Sequence, residues 1–292
     1  MINQKRAYLY AGIAIFFWST IATAFKIGLQ EINLIQFLFF ASWTSFLILL
    51  IINVYKGNLK KISDLGLKEI ALSALMGALN PFAYYLILFR AYELLPAQVA
   101  QPLNMIWPIV LVFFSVIFLG QKFRAISFLS LFISFIGVYF ISSQGDPWSF
   151  QVKAPLGVAL AAGSSIIWSA YWILNVKKGG DETFQLGLNF FFAAIFISLL
   201  LLAIDGFQNL SLLGTGLAVY SGVFEMGITF LLWIKAMKLS KSNDRISNLV
   251  YIAPFLSLIF IFFLVGEQIY VTSLAGLSLI VLGILLEKIR LF

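Results

Sequence analysis

FQLGLNFFFAAIFISLLLLAI, residues 184–204, runs for twenty-one positions without one Asp, Glu, Lys or Arg. As a helix rising 1.5 Å per residue it is about 30 Å long, the thickness of a bilayer's hydrocarbon core. It is not alone. Nine further apolar segments separate at 7–25, 34–54, 70–89, 99–119, 126–142, 156–176, 212–234, 246–265 and 271–286, joined by short connections. The two shortest, 126–142 and 271–286, are kept as spans because removing either spoils the charge pattern below. With 62% hydrophobic and 11% charged residues, a soluble chain of 292 residues would lack the polar surface to cover itself. The expected partner is the lipid bilayer. The fold expected is an all-α polytopic membrane protein of ten transmembrane helices, a single domain over residues 1–292.

The basic residues vote on orientation. With the amino terminus inside, Lys5, Arg6, Lys56, Lys60, Lys61, Lys68, Lys122, Arg124, Lys177, Lys178, Lys235, Lys238, Lys241, Arg245, Lys288 and Arg290 all fall on the inner side. Only Lys26, Arg90 and Lys153 of the 19 Lys and Arg fall outside. The positive-inside rule therefore puts both termini in the cytoplasm of a multi-pass protein of a bacterial-type inner membrane. It also accounts for the net charge of +7 without nucleic acid. Lys5-Arg6, an apolar stretch and Ala22-Thr23-Ala24 have the form of a cleavable leader. The first segment has an internal counterpart in the sixth, so it is expected to stay as a span.

That counterpart belongs to a repeat, residues about 1–145 and 146–292. Trp18-Ser19 matches Trp168-Ser169, and Phe89-Arg90-Ala91-Tyr92-Glu93-Leu94 matches Ile234-Lys235-Ala236-Met237-Lys238-Leu239. Pro108 matches Pro254, Gly120 matches Gly266, and Gly137 matches Gly283. Five landmarks in one order mean duplication. Each copy holds five spans, an odd number, so the second enters the membrane inverted. Such repeats surround a central cavity near the midplane and exchange conformations to alternate access.

Polar groups inside a span are costly unless paired or wetted, and so mark function. The fourth segment carries Gln98, Gln101 and Asn104 on one face, close to Trp107 and Pro108. The sixth carries Ser164, Ser165, Trp168, Tyr171, Trp172 and Asn175 at helical spacing. The third offers Asn80, Tyr84 and Tyr85 beside Pro81, the first Trp18, Ser19, Thr23 and Lys26, and the ninth Asn248, Tyr251 and Pro254. Glu225 is the one acidic residue deep in a span, and Asn80 stands 145 positions before it. It is the candidate for proton coupling or for answering a substrate amine. The substrate-binding candidates are Trp18, Thr23, Asn80, Tyr84, Gln101, Asn104, Trp107, Trp168, Tyr171, Trp172, Glu225 and Tyr251, with Trp107, Trp168 and Tyr84 as aromatic walls. The competing structural role for each polar group is a hydrogen bond between helices.

Other classes lack their residues. Without Cys or His there is no disulfide, Cys/His zinc site, haem ligand or imidazole relay, and no cofactor, metal or catalytic residue is expected. No Asp lies in a span and no two acidic residues share one, against an intramembrane transferase or protease. Charged rings and filter loops of a channel are missing as well.

Phe17-Trp18-Ser19-Thr20, Asn104-Met105-Ile106-Trp107-Pro108, Gly120-Gln121-Lys122 and Pro254 followed by Gly266-Glu267 resemble the drug/metabolite transporter superfamily, in particular its ten-helix EamA-type exporters. The Asn-x-x-Trp-Pro element is similar to the branch of aromatic amino-acid exporters. The resemblance spans nearly the whole chain. It implies a cavity lined by the first, third, fourth, sixth, eighth and ninth helices and an alternating-access exporter of small organic metabolites such as aromatic or amine-bearing amino acids. An uptake carrier or facilitator for a small cationic or amine metabolite fits the same frame. The family pattern has Gly-Glu in both repeats, whereas the first copy here reads Gly120-Gln121.

Overall fold

A computed structural model describes residues 3–119, 125–149, 152–178, 181–204, 206–240 and 248–288. Ten apolar helical segments are present among them, seven long enough to cross a membrane and three shorter. The spans are Gln4–Glu31, Leu34–Tyr55, Leu67–Leu94, then Ala97–Asn104 with Trp107–Leu119, then Ala125–Ser142, Pro155–Lys178 and Glu182–Ile204. The eighth is Leu212–Phe224 with Ile228–Leu239. The ninth runs from the 3-10 turn Asn248–Tyr251 through Ile252–Phe260 to Ile261–Val265, and the tenth is Val271–Lys288. Gly120, Gln121, Lys122, Arg124, Lys241, Arg245, Arg290 and the start of the ninth segment lie outside the described residues, as do the side chains of Asn175 and Asn248.

Caps set several boundaries. Asn3 Oδ1 accepts from Arg6 N–H at 3.1 Å, and Asn33 Oδ1 accepts from Ile35 and Gln36 N–H at 3.1 and 2.9 Å. Each cap satisfies backbone donors that the first helical turn leaves without partners. The first span runs further than the apolar segment 7–25, to Glu31, and carries Lys26 within the helix, where its ammonium finds carbonyls at the end of the third span, as described below.

The packing obeys the exchange of the two repeats. The first span packs on the eighth, and the sixth on the third; the first also packs on the ninth, and the sixth on the fourth. The second packs on the seventh and the fifth on the tenth, each pair its own image. The fifth–tenth pair shows this in detail. A Cβ on Gly137 would lie 2.6 Å from the Gly276 carbonyl oxygen, and one on Gly283 would lie 2.6 Å from that of Ser130. Gly137 and Gly283 are repeat partners, as are Ser130 and Gly276, so both close approaches are one contact seen twice. Small residues let helix backbones meet where no water drives association.

Large apolar side chains cover the periphery: Phe135 is 69%, Leu202 74% and Phe263 75% exposed. Only a hydrocarbon solvent makes such a surface stable. The chain is a multi-pass membrane protein. Because the spans alternate, the two ends of the bundle are named here the terminal face, where the chain begins, and the far face.

Candidate functional site

Four spans are interrupted along their length, and the interruptions follow the repeat. The third contains a π-turn, Ala78–Ala83, in which Asn80 is extended (φ −147°, ψ 122°). Pro81 lacks an N–H and crowds the carbonyl one turn back, which opens the helix there. The eighth breaks at Glu225–Gly227, 145 positions on, where Gly227 leaves helical geometry (φ −104°, ψ −93°). The fourth turns at Met105–Ile106 before Trp107, and the ninth changes from 3-10 to α at Tyr251–Ile252. Broken spans carry backbone polar groups at membrane depth, tolerated only where protein or a wetted cavity surrounds them.

A hydrogen bond links the third span, just past its break, to the break of the eighth. Tyr85 Oη donates to Glu225 Oε1 at 3.1 Å. Beside it, Tyr84 Oη donates to Asn104 Oδ1 at 3.1 Å, and Asn104 Nδ2 donates to Ser164 Oγ at 2.7 Å. Ser164 Oγ in turn donates to the Ala161 carbonyl at 2.7 Å. Both tyrosine hydroxyls thus spend their hydrogens inside the protein and keep oxygen lone pairs for a ligand. Asn80 Oδ1, Gln101 Oε1 and Thr23 Oγ1 are buried and have no hydrogen-bond partner among the described residues. Buried polar atoms without partners are rare enough to need a reason.

Aromatic rings close the other side. The Tyr84 and Trp168 rings lie 4.8 Å apart, and Trp168 reaches Trp172 at 6.0 Å, Tyr171 at 6.4 Å and Phe230 at 6.0 Å. Trp18 joins through Phe230 at 6.2 Å and Trp233 at 5.1 Å. The site is therefore rich in acceptors and π faces, with one carboxylate. Such a surface suits a planar or cationic group bearing N–H donors.

The sequence candidates divide accordingly. Tyr84, Asn104 and Trp168 are joined by direct contacts, and Glu225 joins them through Tyr85, whose ring lies 4.7 Å from that of Tyr84. Trp18, Tyr171 and Trp172 belong to the ring group. Trp107 makes no ring contact with Tyr84 or Trp168 among the described residues; its carbonyl accepts from Ser169 Oγ at 2.9 Å, so it braces the sixth span. Tyr171 Oη accepts from Asn189 Nδ2 at 3.1 Å, and Tyr251 is buried in the core. Phe230 and Trp233 were not among the candidates. Phe230 was within reach of the repeat, since it stands 145 positions after Tyr85.

Comparison with known proteins agrees with this architecture. The EamA-like transporter family model matches residues 5–143 and again 155–287. An uncharacterized transporter of Clostridium kluyveri is 24% identical over 293 residues, covering 96% of this chain and 92% of its own. The uncharacterized transporter YvbV of Bacillus subtilis is 24% identical over 237 residues, covering 80% and 76%. A solved crystal structure superposes with a TM-score of 0.68 at 18% identity, over 98% of this chain and 97% of its own, a likeness of fold.

Proposed function

The chain belongs to the EamA-like transporter family, and from that premise we propose that it exports small amine-bearing metabolites, aromatic amino acids among them, by alternating access across a bacterial-type inner membrane. The observation that carries the reading is the hydrogen bond from Tyr85, just past the third-span break, to Glu225 at the repeat-related break of the eighth, beside the paired Tyr84 and Trp168 rings. Glu225 answers the substrate ammonium or, in its absence, a proton, so substrate and proton move in opposite directions. The excess of Lys and Arg on the terminal face sets that face in the cytoplasm, with both chain termini. Residues about 1–145 and 146–292 are the two bodies whose exchange of conformation moves the site from one side to the other.

Proteoliposomes holding the purified protein test this. Labelled aromatic amino acids, simple amines and nucleosides are presented with and without a pH gradient. Amine-bearing aromatic compounds should exchange fastest and accumulate only with the gradient. Preferential exchange of nucleosides, or indifference to the gradient, would overturn the substrate or the coupling assignment respectively.

A further inference from the structure

The far-face end of the fourth span is held by more than packing. Gly266, left-handed at φ 78°, ends the ninth span and swings Glu267 across to the start of the fourth. There Glu267 Oε1 accepts from Ala97 N–H at 2.8 Å and Oε2 from Gln98 N–H at 3.2 Å. Gln98 reciprocates: its Nε2 donates to the Gln268 carbonyl at 2.7 Å, and its Oε1 accepts from Tyr270 N–H at 2.8 Å. From the first span, Lys26 Nζ donates to the carbonyls of Tyr92 and Leu95 at 2.7 Å each. A carboxylate thus sits on the positive end of one helix and an ammonium on the negative end of the helix before it. The Leu95–Pro96 turn is clamped between them: two hydrogen bonds join the first span to the end of the third, and four join the start of the fourth to the loop after the ninth.

The clamp borders a recess at one end of the molecule. A vestibule of about 480 Å³ lies at the far face, lined among others by Lys26, Gln30, Glu93, Gln98, Glu267 and Tyr270, and neither Tyr84, Asn104 nor Glu225 reaches it. The element that Glu267 caps, Ala97–Asn104, is a half-helix of eight residues with Gln101 and Asn104 at its opposite end. A piece so short moves as a unit. Releasing its start therefore displaces Asn104, which it presents to Tyr84 and Ser164.

The repeat has an amide where the clamp has its carboxylate. Gln121 stands 146 positions before Glu267, each directly after a glycine. A carboxylate accepts from two neighbouring backbone N–H groups and carries the charge that a helix start favours. An amide has one acceptor oxygen and turns an NH₂ toward the second donor. Gln121 itself lies outside the described residues.

We infer that Glu267 is a positioning residue for transport: with Lys26 it locks the half-helix Ala97–Asn104 and keeps the far face closed at rest. The inference takes transport from the family and needs none of the substrate assignments above.

The native chain has no cysteine, so a single Thr23→Cys serves as the reporter. Thr23 is buried on the first span, one turn before Lys26. Vesicles of both orientations receive a membrane-impermeant maleimide, without substrate. Adding Glu267→Gln should speed labelling from the far face about tenfold, the order expected when a charge-assisted contact becomes a neutral one. Labelling from the terminal face should not rise. Glu267→Asp should restore most of the protection, and Lys26→Met should act in the same direction as Glu267→Gln should the latter fold poorly. Wild-type labelling in both Glu267→Gln and Lys26→Met would overturn the inference, and so would faster labelling from both faces, the mark of a loosened fold. Failure of every amine to exchange in proteoliposomes would refute the substrate assignment and leave the labelling result standing.

Discussion

Tyr85→Phe removes a single oxygen from the centre of the site. Tyr85 is 1% exposed, and its ring packs 4.7 Å from Tyr84 and 5.4 Å from Phe89. Phe has the same outline, and the second repeat already carries Phe230 at the equivalent position, so ring packing should survive. What is lost is the hydrogen bond to Glu225 Oε1 at 3.1 Å. A neutral hydrogen bond contributes about 0.5–1.5 kcal/mol and one to a charged group about 1.5–3 kcal/mol. At about 1.4 kcal/mol per power of ten, these are roughly twofold to tenfold and roughly tenfold to a hundredfold in affinity. If Glu225 is ionised opposite a substrate ammonium, Tyr85 holds the carboxylate in place and the larger range applies. Initial-rate counterflow in proteoliposomes should give a KM for an amine substrate raised at least about tenfold, while a neutral amide analogue stays within about threefold. The melting temperature should hardly move. Unchanged KM for the amine, or equal losses for amine and neutral analogue, would refute the assignment of a charged Glu225 in the loaded site.

Two further outcomes test the scaffold. A Cβ at Gly276 would lie 2.4 Å from the Gly137 carbonyl oxygen and 2.6 Å from Ile141 Cγ1, so Gly276→Ala must push the fifth and tenth spans apart. It should cost about 1–3 kcal/mol and lower the melting temperature with KM unchanged. Gly163→Ala, with nothing within 4 Å of the new carbon, should instead raise it slightly through helix propensity. At the terminal face, Lys61 Nζ pairs with Asp181 Oδ2 at 2.9 Å. Burial pushes the Asp181 carboxyl up, but hydrogen bonds from Lys61 and the Phe184 N–H, with the charges of Lys61 and Lys56, outweigh it and hold its pKa below the usual 3.8. A depressed folded-state pKa gives stability that is fully present above 3.8 and lost as pH falls through the lower folded value. Lys61→Met should therefore lower the melting temperature at pH 7 by an amount worth no more than about 1 kcal/mol, since the pair is exposed. The difference should fade below about pH 4, and one that persisted in acid would assign the loss to packing.

Ten spans were legible because about 20 apolar residues in a row have no other stable home. The repeat was legible because Trp18 and Trp168, Asn80 and Glu225, and Pro108 and Pro254 keep one order. What the sequence could not show was which distant groups pair. Lys26 reads as an outer-side charge until the carbonyls of Tyr92 and Leu95 are brought within 2.7 Å of it. Glu267 reads as half of a Gly-Glu motif until the fold sets it on the start of a helix 170 positions earlier. The breaks of the third and fourth spans both carried a residue signal, Pro81 in the third and Pro108, which cannot donate to the Asn104 carbonyl, in the fourth. Trp107 neighbours Asn104 in sequence, and the sequence could not show that its main-chain carbonyl accepts from Ser169 Oγ.

Glu225→Gln keeps volume and hydrogen-bonding capacity while removing ionisation, and it addresses the site directly. The measurement is accumulation and affinity of an amine substrate in proteoliposomes, across a range of pH and with an imposed gradient. The variant should lose affinity for the amine at every pH, because a desolvated ammonium is left without its partner, and should fail to concentrate it against the gradient. Wild-type affinity, wild-type pH dependence and full accumulation in Glu225→Gln would make Glu225 a structural hydrogen-bonding residue and contradict its place at the centre of transport.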